Sequence, residues 1–185
     1  FPGGGYSTLS VGNGHKEAKW FAENGVTAAV VKYRLPNGHS EVPRNDADEA
    51  LRVMREMAAE LNIDPAKVGV SGTSAGGYLA GSVGTLSEVK PDFMILYYPV
   101  ISADADKRHK GTFVQLLGAD DADNHDEERR VVRQAGEHEL LVGHAVLVGH
   151  AARIHRGAAE HAAHVLPDLG GSVQHIGALV QGLRG

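Results

Sequence analysis

The sequence predicts an α/β fold: an open, mostly parallel sheet flanked by helices. Three observations predict it. Short apolar runs suited to buried strands recur at "VTAAVVKY" (26–33), "KVGVS" (67–71) and "DFMILYYPV" (92–100). Segments of helical periodicity separate them, and strands that alternate with helices pair in parallel through right-handed crossovers. Between the second run and the helix after it stands Gly72-Thr73-Ser74-Ala75-Gly76, a tight bend with glycines two before and two after one serine.

Taken in order, the chain opens on "FPGGGYS", where three successive glycines let backbone N–H groups converge on one small volume. A helix is expected over 15–25, with Ala18, Phe21 and Ala22 on one face and Asn24-Gly25 as its stop signal. Residues 26–33 form a continuous apolar run, as a strand covered on both faces does. "RLPNGHSEVPRN" reads as a loop. A second helix is expected over 46–62, where Ala47, Ala50, Leu51, Met54, Met57, Ala58 and Leu61 recur at helical spacing. Acidic residues crowd its expected first turn, where they suit the helix dipole. The second strand, the serine bend, a third helix and the strand over 92–100 follow.

The 185 residues amount to about one domain. Hydrophobic content of 42% and charged content of 22% are ordinary for a globular protein. The net charge of −5 and the lack of clustered Lys and Arg point away from a nucleic-acid partner. No apolar run approaches the roughly 18 residues of a membrane span, so no membrane partner is expected. Cysteine is absent, which excludes disulfides, thiolate catalysis and Cys-ligated metal. No basic-then-apolar leader is visible, but the chain starts at Phe1 rather than Met, so the compartment stays open. Composition shifts near residue 129: every lysine lies at or before Lys110, and seven of the eleven histidines lie from His138 onward. The expected division is a core over 1–129 and a His/Ala/Gly-rich tail over 130–185, which could be a divergent C-terminal part of the same domain.

The serine bend fits G-x-S-x-G between strand and helix. A nucleophile on so sharp a turn sits in strained backbone, and side chains two positions away would collide with the neighbouring strand and helix. The gain is a serine oxygen exposed at the carboxyl edge of the sheet. The helix that follows points its amino end at the site, and the Ala75 N–H becomes one donor to a developing oxyanion. Two other readings compete. A Gly- and Ser-rich turn can simply join strand to helix, and a phosphate-binding loop is conceivable. The latter lacks a Lys-Ser/Thr ending and does not give G-x-G-x-x-G.

"FPGGGYS", "VVKYRLP", "DADEALRVMRE", "GVSGTSAGGYLA" and "PDFMILYYPVIS", in this order, resemble the α/β-hydrolase superfamily over residues 1 to about 125. The resemblance is to bacterial carboxylesterases related to acetylxylan and feruloyl esterases. It implies Ser74 as nucleophile, oxyanion N–H groups from Gly4 and Gly5 beside that of Ala75, and a structural role for Asp46. It also implies hydrolysis of short acyl esters, acetyl or feruloyl groups on polysaccharide among them, with a small-molecule or carbohydrate ester as partner and no cofactor or metal. In the superfamily a strand hairpin and a further strand precede the glycine loop. The fold is therefore expected in truncated form, with an exposed sheet edge.

The resemblance also calls for an acid and a histidine after Ser74. No aspartate lies between Glu127 and Pro167, which leaves Glu137 and Glu139 for the acid. His138, His144, His150, His155, His161, His164 and His175 all follow the serine, and chain order favours His175 in "GGSVQHIG" as the base. Without an adjacent base a serine stays a weak alcohol. A non-catalytic, degenerate hydrolase domain acting as a binding module is therefore the alternative. His161 and His164 stand three apart beside Glu160, a spacing that imidazoles on Zn²⁺ can use. No H-E-x-x-H or fourth ligand accompanies them, and a biased composition produces such pairs often.

Overall fold

The computed structural model describes residues 1–102, 108–119, 131 and 176–177. The elements run α1 (Val11–Glu23), β1 (Val30–Val31), α2 (Glu41–Glu56), α3 (Ala58–Leu61), β2 (Val70–Thr73), α4 (Ala75–Leu86), β3 (Met94–Tyr97), α5 (Lys110–Leu117) and β4 (Ile176–Gly177). The architecture is the expected α/β one, with strand and helix alternating through α4 and β3. Among the described residues the strands form two pairs. β2 and β3 run parallel with Val70 opposite Met94 and Thr73 opposite Tyr97. β1 and β4 are antiparallel, Val30 opposite Gly177.

The helix α4 is the centre of the packing. Ala75 to Val83 are all buried, which fits a helix apolar on every side. Its two buried hydroxyls are satisfied within the helix: Ser82 Oγ donates to the Leu79 carbonyl and Thr85 Oγ1 to the Gly81 carbonyl, both at 2.8 Å. It lies on β2 and β3, and α2 packs against it. The stripe Ala47, Ala50 and Leu51 read from the sequence is buried and joins Tyr78, Leu79, Ala80 and Val83 of α4 in one core cluster.

Several boundaries differ from expectation for identifiable reasons. α1 begins at Val11 rather than residue 15. The Ser10 N–H donates to the Gly3 carbonyl at 2.8 Å, which closes the glycine loop and releases the chain into a helix at the next residue. Gly14 then approaches β1: a side chain there would stand 3.0 Å from Val30 Cγ1 and 3.1 Å from Pro2 Cγ. The Asn-Gly stop is where it was expected, with Gly25 at φ 79°. Only Val30–Val31 of the run at 26–33 joins a ladder, and Val26 is exposed.

α2 starts at Glu41, inside the stretch expected as loop. Pro43 falls at its third position, where a backbone N–H has no intrahelical partner, so the missing donor costs nothing. The first turn therefore holds Glu41 alone as its acid, and the cluster read as dipole-compensating sits a turn further on. Asp46 from that cluster does other work. It accepts from the Arg34 backbone N–H at 2.8 Å and grips the Arg34 guanidinium at 2.6 Å, tying the chain after β1 to α2. This pairing with Arg34 raises the guanidinium pKa further. β2 lies at Val70–Thr73 rather than 67–71 and β3 at Met94–Tyr97 rather than 92–100, because their ladder runs up to the Thr73–Tyr97 pair beside the serine bend.

Candidate active site

Ser74 occupies the single residue between β2 and α4, at φ 55° and ψ −117°. A serine rarely adopts such a conformation, and it persists only where the surroundings over-determine it. Here three backbone bonds do so. The Ser74 N–H donates to the Tyr97 carbonyl at 3.0 Å, and the Ser74 carbonyl accepts from Tyr78 N–H at 3.1 Å and Val100 N–H at 3.2 Å. The flanking glycines are sterically required. A methyl group at Gly72 would collide with the Gly76 carbonyl and stand 2.8 Å from Gly77 N. One at Gly76 would run into the Phe1 and Pro2 carbonyls.

That second collision places the amino-terminal loop directly on the bend. The Cβ position of Gly3 lies 3.3 Å from Ser74 Cβ and 2.8 Å from the Thr73 carbonyl oxygen. Gly4 and Gly5 follow in left-handed backbone, at φ 135° and 62°. A side chain on Gly4 would overlap the Thr8 carbonyl. The Gly4 carbonyl turns back into the loop, accepting from Ser7 N–H and Thr8 N–H at 3.2 Å each. Among the described residues no hydrogen bond is recorded from the N–H of Gly4, Gly5 or Ala75. The Ala75 N–H also belongs to the amino end of α4, where partial positive charge gathers.

A wall of aromatic rings holds the loop in place. Tyr6, itself at φ 60° and 1% exposed, meets Tyr33 edge to face at 6.0 Å and Tyr78 of α4 at 6.4 Å. Tyr78 in turn meets Phe113 of α5 at 5.8 Å, and Phe1 packs on Tyr33 at 6.4 Å. The Tyr33 hydroxyl donates to the Pro2 carbonyl at 2.6 Å, and burial pushes its phenol well above the ordinary range. These rings were not singled out from the sequence. The signal available was scarcity: three of the chain's five tyrosines stand in this one wall.

His109 is a second residue that sequence reasoning passed over. Its Nδ1 lies 2.8 Å from Thr112 Oγ1 and accepts from Thr112 N–H at 3.3 Å, capping α5. Thr112 Oγ1 is 3.6 Å from the Cβ position of Gly5. His175 lies outside the described residues, as do Glu137, His138, Glu139, His144, His150, His155, Glu160, His161 and His164. Among the described residues no group of three or more His, Asp or Glu side chains could hold a metal ion, and no helix is long and apolar enough to cross a membrane.

Comparison with known proteins gives the family. The sequence profile of an α/β-hydrolase-fold family matches residues 1–140, and the chain belongs to that family. Among curated proteins it is 43% identical over 120 residues to an acetylxylan esterase of Xylanibacter ruminicola, covering 63% of this chain and 25% of the relative. It is 32% identical over 139 residues to endo-1,4-beta-xylanase B of Butyrivibrio fibrisolvens, covering 66% of this chain and 22% of that protein. The chain thus spans about a quarter of the length of these relatives. Among solved structures, the acetyl ester-xyloside bifunctional hydrolase of Caldicellulosiruptor lactoaceticus superposes with a TM-score of 0.61 at 29% identity, covering 76% of this chain and 67% of that one.

Two expectations follow from the packing. Gly72→Ala should lower the unfolding free energy by about 1–3 kcal/mol in urea titrations, because the added methyl has only backbone to displace. Tyr33→Phe should cost about 1–2 kcal/mol at neutral pH by stranding the Pro2 carbonyl. The unfolded chain ionises its tyrosines from about pH 10 whereas buried Tyr33 stays protonated. This phenol's contribution is therefore complete below about pH 10 and lost as pH rises past it, since the unfolded state then releases the proton first. Urea titrations at neutral pH and above pH 10 should show wild type losing more stability on the alkaline side than Tyr33→Phe.

Proposed function

We propose that this chain carries the catalytic serine of a carboxylesterase that removes short acyl groups, acetyl groups of xylan first among them. The observation that carries the reading is Ser74 in left-handed backbone with Gly3 packed against its side chain. In this reading Ser74 Oγ attacks the ester carbonyl carbon and gives its proton to a histidine, for which His175 is the candidate. The oxyanion that forms is held by the N–H groups of Gly4, Gly5 and Ala75, donors that record no other partner among the described residues. The carbon–oxygen bond to the alcohol then breaks, and the histidine returns the proton to the departing sugar hydroxyl. Water, deprotonated by the same imidazole, attacks the acyl-enzyme and releases the carboxylic acid with Ser74 restored.

Acetyl esters are favoured because two relatives, one by sequence and one by structure, carry acetyl-ester activity in their names, and that sequence relative is an acetylxylan esterase. Small residues around the bend do not by themselves select an acyl group. The reading is tested with p-nitrophenyl acetate. Ser74→Ala should lose at least about 10³-fold in kcat/KM, the scale on which nucleophile removal acts in serine hydrolases. Equal turnover by wild type and Ser74→Ala would refute it.

A further inference from the structure

The segment that follows β3 carries a feature that the serine bend does not use. Tyr98 stands at φ 36° and is 76% exposed. Each fact is unusual for a bulky aromatic residue. A positive φ is a genuine outlier for such a side chain, and an exposed ring forgoes its burial energy. Trp20 and Phe93, the other exposed aromatic residues, are less exposed at 48% and 40%.

The strain at Tyr98 is fixed by contacts to the serine bend. The residue before it, Tyr97, accepts the Ser74 N–H, and the residue two after it, Val100, donates to the Ser74 carbonyl. Between them Pro99 is pressed on α4, its Cα 3.0 Å from the Cβ position of Gly77. Tyr98 is therefore the middle of a short arch anchored at both feet on Ser74 and braced from α4. Such an arch sets the ring's base at a constant offset from the serine. Apolar collapse would have turned the ring inward, yet the backbone holds it out.

We propose that Tyr98 is a substrate-binding platform whose ring face stacks on the pyranose ring that bears the ester. This rests on the esterase reading, in which the leaving group is a sugar hydroxyl. A xylopyranose unit presents a flat face of C–H bonds with partial positive charge, and a tyrosine face carries the complementary negative quadrupole. A ring with two side-chain torsions, on a backbone already held, loses little entropy when the sugar lands. Strain at Tyr98 thus has a use: it holds the backbone that carries an exposed aromatic ring at a set position next to the serine bend before substrate arrives.

The test separates this claim from the esterase reading by measuring binding without turnover. In the Ser74→Ala background, calorimetry gives the Kd of acetylated xylotriose with Tyr98 intact and in Tyr98→Phe, Tyr98→Ala and Tyr98→Gly. The expected result is a Kd about tenfold weaker in Ala and Gly, or about 1.4 kcal/mol, with Phe close to Tyr. Gly relaxes the φ 36° backbone without restoring a ring, so recovery in Gly but not Ala would assign the effect to strain and overturn the platform. Unchanged affinity in Ala, or no binding with Tyr98 intact, overturns it as well. So does dependence on Tyr98 for methyl ferulate but not for acetylated xylotriose, which would place the ring on the acyl side. Failure of the esterase reading shows separately, as p-nitrophenyl acetate turnover indifferent to Ser74.

Discussion

The close approach of Gly72 to Gly76 is the constraint from which the rest of the site follows. Without a side chain at Gly72, which would meet the Gly76 carbonyl, β2 can reverse into α4 within one residue, and that residue sits at φ 55°. It cannot be absorbed into strand or helix. Its N–H and carbonyl are instead claimed by Tyr97, Tyr78 and Val100, one partner on α4 and two from β3 and the segment after it. Strain at Ser74 is therefore supported from two directions, which is how an unfavourable backbone conformation survives at a functional position. The energy for that support comes from the buried length of α4 and its contact with α2.

The amino-terminal loop depends on the same approach. Because Gly76 offers no Cβ, the Phe1 and Pro2 carbonyls can lie on the bend, and Gly3 then reaches the serine side chain. Glycines make the loop possible but do not hold it. The aromatic wall does: Tyr6 fills the space between Tyr33 and α4, while the Tyr33 hydroxyl fastens Pro2. Edge-to-face rings add directional preference to their buried area, so the wall gives a flexible sequence a defined shape. The loop carries left-handed Gly4 and Gly5, whose N–H groups have no partner among the described residues, and the tyrosines behind it give it order.

Much of this was legible in the sequence, for reasons that differ by element. The α4 bend was readable because the Gly72 end of G-x-S-x-G encodes a local steric requirement, whereas Gly76 is needed for the approach of the distant Phe1 and Pro2 carbonyls. The α2 stripe was readable because Ala47, Ala50 and Leu51 recur at the helical period. Boundaries set by distant partners were not. The start of α1 depends on Ser10 reaching back to Gly3, and the start of α2 on Pro43 being harmless in a first turn although it reads as a breaker. The acids after residue 45 looked like dipole compensation, yet Asp46 serves Arg34, twelve residues earlier. The aromatic wall was hidden because its members lie far apart in the chain and share no period. Tyr98 was hidden within an apolar run that read as strand throughout.

The central claim is that Ser74 is a nucleophile, and its most direct test is covalent. A fluorophosphonate probe reacts with a serine oxygen only when that oxygen is activated, and the phosphonylated residue is located by peptide mass spectrometry. The account predicts one label per chain, on the peptide containing Gly72 to Gly77, at Ser74. A chain that remains unlabelled, or that carries its label on another serine, would contradict it.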